Sequence, residues 1–187
     1  MILEGLVTTL DADGSPHLAP MGPRMSADFA TFELKPFPSS HTYANLRRDR
    51  AGVLHVTDDA LLLARAAVGA VAPFPPTVPA EHVRGVVLAD SCRAFEFTVT
   101  ALDDSAARVR LTCEVVNTHE LRPFWGWNRA KHAVLEAAVL ATRLHLIPAD
   151  EVAAEFRRLR VIVEKTAGER ELAAMTFLDD YRARWQA

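Results

Sequence analysis

The chain opens with short runs of strand formers broken by turn signals and closes with apolar positions at helical spacing, so a β-rich body should precede a helical end. Residues 2–10 form the first run, Asp11-Ala12-Asp13-Gly14 is a turn signal and residues 16–21 form the second run, which together predict a β-hairpin. Residues 28–34 read as a third strand, with Phe29, Thr31 and Glu33 alternating against Ala30, Phe32 and Leu34. Pro36 and Pro38 cannot donate to a ladder and end it, while Ser39, Ser40 or Thr42 can cap a helix expected over about residues 42–50. A strand of buried type follows at 53–57 and a helix at 60–71. Residues 72–79, Ala-Pro-Phe-Pro-Pro-Thr-Val-Pro, are predicted to be irregular, a surface excursion or a lid. Strands at 92–102 and 108–118, joined by Asp103-Asp104-Ser105, predict a two-faced antiparallel pair with Phe95, Phe97 and Val99 opposed to Ala94, Glu96 and Thr98. Beyond an aromatic and basic connection at 119–128, helices are predicted at 128–147, 148–166 and 169–185. The implied division is a β-barrel-like domain over residues 1–122 and a helical subdomain over 123–187.

Composition narrows the function classes. The chain is half hydrophobic and 24% charged, as a globular protein of this length should be, and its formal charge of −3 gives no footprint for nucleic acid. The arginine clusters at Arg47, Arg48 and Arg50 and at Arg157, Arg158 and Arg160 are interspersed with acids and read as solvated faces. No secretion-type leader and no apolar run of membrane-spanning length is visible, so a cytoplasmic location away from membranes is the expectation. Cys92 and Cys113 are expected to be buried thiols, which neighbouring strands could place side by side. There is no G-x-G-x-x-G, G-x-x-x-x-G-K, H-E-x-x-H or C-x-x-C motif, which argues against a dinucleotide fold. The seven histidines, at 17, 41, 55, 82, 119, 132 and 145, show no metal-ligand spacing, and no metal is expected.

The chemistry-bearing stretch is the corner at residues 35–46. Free backbone N–H groups at a helix start, with serines around them, suit an anion such as a phosphate, although the same pattern is also an ordinary capped connection. Thr42 and Asn45 lie three apart on one helix face and could line one ligand. Arg24, following Pro20-Met21-Gly22-Pro23 at another strand end, has the planar fork that suits a phosphate dianion. Arg129, Lys131 and His132 put cationic or titratable groups in the first turn of a helix, against its dipole, and these are either partners of an anion or solvated charges.

These stretches resemble a known group. The hairpin ending in Ala19-Pro20-Met21-Gly22, then a strand, then Phe37-Pro38-Ser39-Ser40-His41-Thr42-Tyr43-Ala44-Asn45-Leu46, is similar to the flavin reductase-like FMN-binding split barrels. Glu4-Gly5-Leu6-Val7-Thr8-Thr9, Val56-Thr57-Asp58-Asp59 and residues 128–138 resemble the DUF447 family of unknown function more closely, over essentially the whole chain. The resemblance implies an α+β, mainly β fold: a six-stranded antiparallel split β-barrel with a C-terminal helical appendage, forming a homodimer with FMN at the subunit interface. It implies that Ser39, Ser40, Thr42 and Asn45 contact the flavin, with Met21, Gly22 and Thr57 beside the ring or ribityl chain. Arg24 and Lys131 are both candidates for the phosphate. Trp125, within Phe124-Trp125-Gly126-Trp127, either stacks on flavin or substrate or staples the appendage to the barrel. His41 is a candidate proton donor, or an exposed loop histidine. The Lys-x-Gly-Lys-x-Thr pattern of true flavin reductases is replaced here by Phe-Pro-Ser-Ser-His-Thr. The implied function is an FMN-dependent oxidoreductase drawing on NADH or NADPH and acting on a small heteroaromatic substrate. A pterin is suggested only by the family's association with one-carbon metabolism. The alternatives are a flavin carrier or sensor without turnover and a structural dimerisation module without ligand. Lack of a dinucleotide fingerprint favours FMN over FAD.

Overall fold

The computed structural model describes residues 1–105 and 108–186. In chain order it contains β1 (Gly5–Leu10), β2 (Pro16–Met21), β3 (Arg24–Met25), β4 (Thr31–Leu34), α1 (His41–Asp49), β5 (Ala51–Val56) and α2 (Ala60–Ala67). There follow β6 (Thr77–Pro79), β7 (Val86–Leu88), β8 (Arg93–Asp103), β9 (Arg110–Glu120), α3 (Arg129–Ala141), α4 (Ala149–Thr166) and α5 (Glu169–Gln186). Contacts divide the chain into one unit of residues 1–57 with 73–123 and another of 58–72 with 124–187.

The first unit is an α+β split-barrel-like fold. Its antiparallel sheet has seven strands, in the order β2-β1-β5-β8-β9-β4-β3, and not the expected six, because β3 adds a two-residue edge strand. Connectivity forces this sheet to curl. Laid flat, six strand spacings of about 4.8 Å would put the edge strands β2 and β3 about 29 Å apart. Only Gly22 and Pro23 join them, and from Met21 to Arg24 the chain spans at most about 11 Å. Residues 1–3 finish this seam, with Leu3 N–H donating to the Pro23 carbonyl (3.0 Å) and Met25 N–H to that of Met1 (3.0 Å). Side-chain alternation then defines two faces. Val7, Leu54, Phe95, Phe97, Leu111 and Cys113 point into the core with Phe32, Leu34, Tyr43 and Leu46. Strands β1, β5 and β8 approach closely at Gly52, where a Cβ would meet the Phe97 ring at 2.8 Å and the Thr8 carbonyl at 3.0 Å.

The opposite face of β1, β5 and β8 carries Thr8, Val53, His55, Ala94 and Glu96, and all five are buried. What covers them is the proline-rich stretch, which is not irregular throughout: β6 and β7 pair as a separate hairpin, and Val87 packs on Val53 and Ala94. Three polar ties hold the hairpin down. Thr8 Oγ1 donates to the Val86 carbonyl (2.6 Å) and Leu88 N–H donates to His55 Nε2 (3.0 Å). The third is Glu96, whose carboxylate accepts the successive N–H groups of Glu81 (2.9 Å), His82 (2.7 Å) and Val83 (2.9 Å).

The second unit holds α2 with α3, α4 and α5. Ala60, Ala64, Ala130, Ala133, Ala137, Ala138 and Ala141 line the seams, and their small side chains let helices approach around Phe156, Met175 and Leu178. Asp59 caps α2 and Asn128 caps α3. The expected helix over 128–147 ends at Ala141, beyond which Arg143 and Leu146 N–H groups bond three residues back, in tight turns that lead to Pro148. Both cysteines are free and buried, but Cys113 faces Val99 while Cys92 sits at the other end of β8, so they are not adjacent. Among the described residues no helix is long and apolar enough to cross a membrane.

Candidate functional site

The corner after β4 forms as the sequence implies. Ser40 is the N-cap of α1, accepting from Tyr43 N–H (3.2 Å) and donating to the Phe37 carbonyl (2.8 Å). The backbone N–H groups of His41 and Thr42 have no partner among the described residues, and Ser39 and His41 are exposed. The helix therefore presents a positive dipole end and two free donors at its start.

Thr42 and Asn45 lie on one face of α1 as expected, but that face is turned inward: they are 2% and 3% exposed. Thr42 Oγ1 lies 3.3 Å from His17 Nε2. Asn45 Nδ2 donates to Thr9 Oγ1 (3.0 Å) and to Asp11 Oδ1 (2.8 Å), and its Oδ1 accepts from Arg48 (3.2 Å). Both polar atoms of the Asn45 amide are thus engaged by the β1–β2 hairpin and α1. His17 and His41 stand with ring centroids 5.5 Å apart, and Asp11 joins them. Burial lowers the His17 pKa, with His41 adding to the effect and Asp11 opposing it.

Met21 ends β2 and Gly22 follows it at the barrel seam, where a Cβ on Gly22 would meet Ile2 at 3.2 Å. Arg24 is exposed on β3, and its guanidinium has no hydrogen bond or ion pair among the described residues. Thr57 is half-buried just past β5.

Trp125 and Lys131 belong to the helical unit. Lys131 Nζ lies 3.4 Å from Asp58 Oδ2, a carboxylate whose side chain is 4% exposed, and 4.0 Å from Glu171. Trp125 gives its backbone N–H to the same Asp58 oxygen (3.3 Å), while its indole and that of Trp127 are 85% and 89% exposed. Trp127 stacks on His132 with centroids 5.4 Å apart.

Sequence reasoning missed the strap over the outer sheet face. His55 is fully buried; Leu88 N–H can only donate, so Nε2 accepts and Nδ1 carries the proton toward the Leu6 carbonyl (3.2 Å). Burial pushes its pKa down to about 4. Burial acts to raise the Glu96 pKa, but the backbone N–H groups of Glu81 and His82, with the side chains of His119 (2.6 Å) and Asn117 (3.2 Å), outweigh it and bring it to about 2. The overlooked signal was an acid on the alternating strand at 92–102.

A curled antiparallel sheet closed by a short connection between its edge strands, with one short helix at its corner, defines a split-barrel-like fold. The chain belongs to the DUF447 family: the model of the "protein of unknown function (DUF447) N-terminal domain" matches residues 3–122 and that of "protein of unknown function (DUF447)" matches residues 128–180. No curated protein matches it. Among solved structures, an FMN-bound DUF447 protein from Methanosarcina mazei superposes with a TM-score of 0.82 at 23% identity, covering 96% of this chain and 94% of that one. The 2-nitrobenzoate 2-nitroreductase of Pseudomonas fluorescens matches 62% of this chain and 63% of its own, with a TM-score of 0.54 and 20% identity. An FMN-binding protein from Thermus thermophilus with bound 1-cyclohex-2-enone covers 63% of this chain and 70% of its own, with a TM-score of 0.53 and 14% identity. At these identities the likeness is one of fold.

Proposed function

We propose that the protein binds FMN at the α1 corner and works as an FMN-dependent oxidoreductase on a small heteroaromatic substrate. The observation that carries this reading is the match over 96% of the chain to a protein whose crystal structure contains FMN. The corner fits such a group: the free His41 and Thr42 N–H groups and the exposed Ser39 suit a ligand oxygen, and the unpaired Arg24 suits the phosphate. Of the two cationic candidates Arg24 is preferred, because Lys131 already neutralises Asp58. Met21, Gly22 and Thr57 lie beside the ring and ribityl chain in this reading. Thr42 and Asn45 act at one remove, holding α1 against the β1–β2 hairpin. Bound FMN would supply hydride transfer; the chain binds it, orients it and tunes it through backbone donors. A homodimer with FMN between subunits is the proposed assembly, and the exposed Trp125 and Trp127 indoles offer it apolar surface.

The test is the visible spectrum of purified protein after incubation with FMN and removal of free ligand. A retained two-banded spectrum at about one FMN per chain is expected, followed by rapid bleaching on anaerobic addition of NADPH or NADH. A colourless protein overturns the reading. Tight FMN binding with slow bleaching would replace the enzyme with a carrier or sensor.

A further inference from the structure

We propose that Asp11, His17 and His41 form a binding site for one divalent transition-metal ion of the zinc type. The three residues come from three places: Asp11 directly follows β1, His17 lies on β2, and His41 is the first residue of α1. Their ligand-capable atoms lie within 4.8 Å of one another. A tetrahedral zinc site with bonds of about 2.0–2.1 Å separates its ligand atoms by about 3.3 Å, so modest side-chain rotations within the cluster close the set.

The donor set selects the ion. Two imidazoles and one carboxylate suit zinc, cobalt or nickel, whereas magnesium and calcium take oxygen donors. An anion is the poorer occupant of this cluster, because the Asp11 carboxylate would repel it. Three protein ligands leave a coordination position for water or another group.

A metal site is more than its ligands, and here the surrounding shell is already built. Asn45 Nδ2 donates to Asp11 Oδ1 at 2.8 Å and is itself held by Thr9 and Arg48, so the carboxylate is oriented with its second oxygen uncommitted to Asn45. Thr42 Oγ1 sits 3.3 Å from His17 Nε2 and steadies that ring. Such partners orient ligands and raise affinity by factors of 10–100. This assigns a use to two nearly buried polar side chains on α1, and it does not rest on the FMN reading.

The test uses the full chain, stripped with a chelator and dialysed against micromolar zinc chloride, with metal measured by mass spectrometry and flavin by absorbance on the same sample. One zinc per chain is expected, with magnesium chloride giving none. His41→Ala and Asp11→Asn should each weaken zinc binding at least tenfold while circular dichroism stays unchanged. His41 is exposed, so its loss leaves packing intact and keeps the test decisive where His17→Ala unfolds the hairpin. Zinc affinity equal in wild type and both variants overturns the site, as does no retention at tens of micromolar. Zinc held without flavin supports this site and counts against the FMN reading; flavin held without zinc does the reverse.

Discussion

Glu96 shows how one residue can anchor a whole segment. Its fully buried carboxylate gathers the N–H groups of Glu81, His82 and Val83 with two side-chain donors. Replacing it with alanine leaves buried donors unmet, and a loss of about 3 kcal/mol is expected in urea denaturation. His55 and Glu96 also set the acid response. His55 has a folded pKa of about 4 against 6.5 unfolded, so the neutral form is favoured by folding and its contribution fades as pH falls from 6.5 through 4. Glu96, with a folded value of about 2 against 4.5, contributes above 4.5 and fades as pH falls from 4.5 through 2. Unfolding free energy should therefore drop from pH 7 to pH 4 by about 3 kcal/mol from His55 alone, and a His55→Gln variant should show a flatter profile over that window. The phosphate candidates separate at this scale too. Arg24→Ala should weaken FMN binding about tenfold with an unchanged melting temperature, whereas Lys131→Ala should cost about 2 kcal/mol of stability by removing the cation beside the buried Asp58 carboxylate. Legibility at this scale was uneven. The Ser40 cap could be read locally, since it depends on its immediate neighbours. The inward turn of Thr42 and Asn45 could not, because Thr9, Asp11 and His17 reach them only through the fold.

At the scale of elements, local periodicity found most strands and helices and erred where tertiary contacts decide. Alternation puts Phe29 within a strand, yet it adopts φ 60° in a turn that Ser26 and Asp28 stabilise, and its ring stacks on Phe95 at 6.0 Å. Leu144 and Ile147 keep the apolar spacing, so the sequence predicts a third helix to residue 147; nothing local announces the change to tighter turns after Ala141. Prolines remove donors and so predict an irregular segment, but Pro79 closes a three-residue strand whose hairpin is held from the sheet below. Gly52, two residues before Leu54 on the same inner face, has no room to grow: the core Phe97 ring fills one side and the β1 backbone the other. Gly52→Ala should destabilise the protein by about 1–3 kcal/mol through overpacking, read as a lower urea midpoint with unchanged slope.

For the whole molecule, the two matched segments, 3–122 and 128–180, suggest that the chain divides cleanly near residue 123, but the contacts divide it differently. Helix α2 precedes β6 in sequence and yet packs with α3 and α5, presenting Ala60 and Ala64 to their alanine-lined faces. A cut at residue 123 would leave α2 attached to the barrel with its apolar side uncovered, and would leave α3 and α5 with an open seam. The barrel fragment keeps its own core but carries α2's uncovered apolar side, and the helical fragment lacks a layer of its core, since small apolar helices hold together chiefly by burying such faces. Expressed alone, each fragment should aggregate or bind a hydrophobic dye. Co-expressed, 1–123 and 124–187 should associate into a soluble complex that co-purifies, because α2 supplies the missing layer. A soluble, cooperatively melting 124–187 fragment on its own would show that α2 is dispensable to the helical unit, and that the chain's interruption of one unit by the other is a matter of connectivity alone.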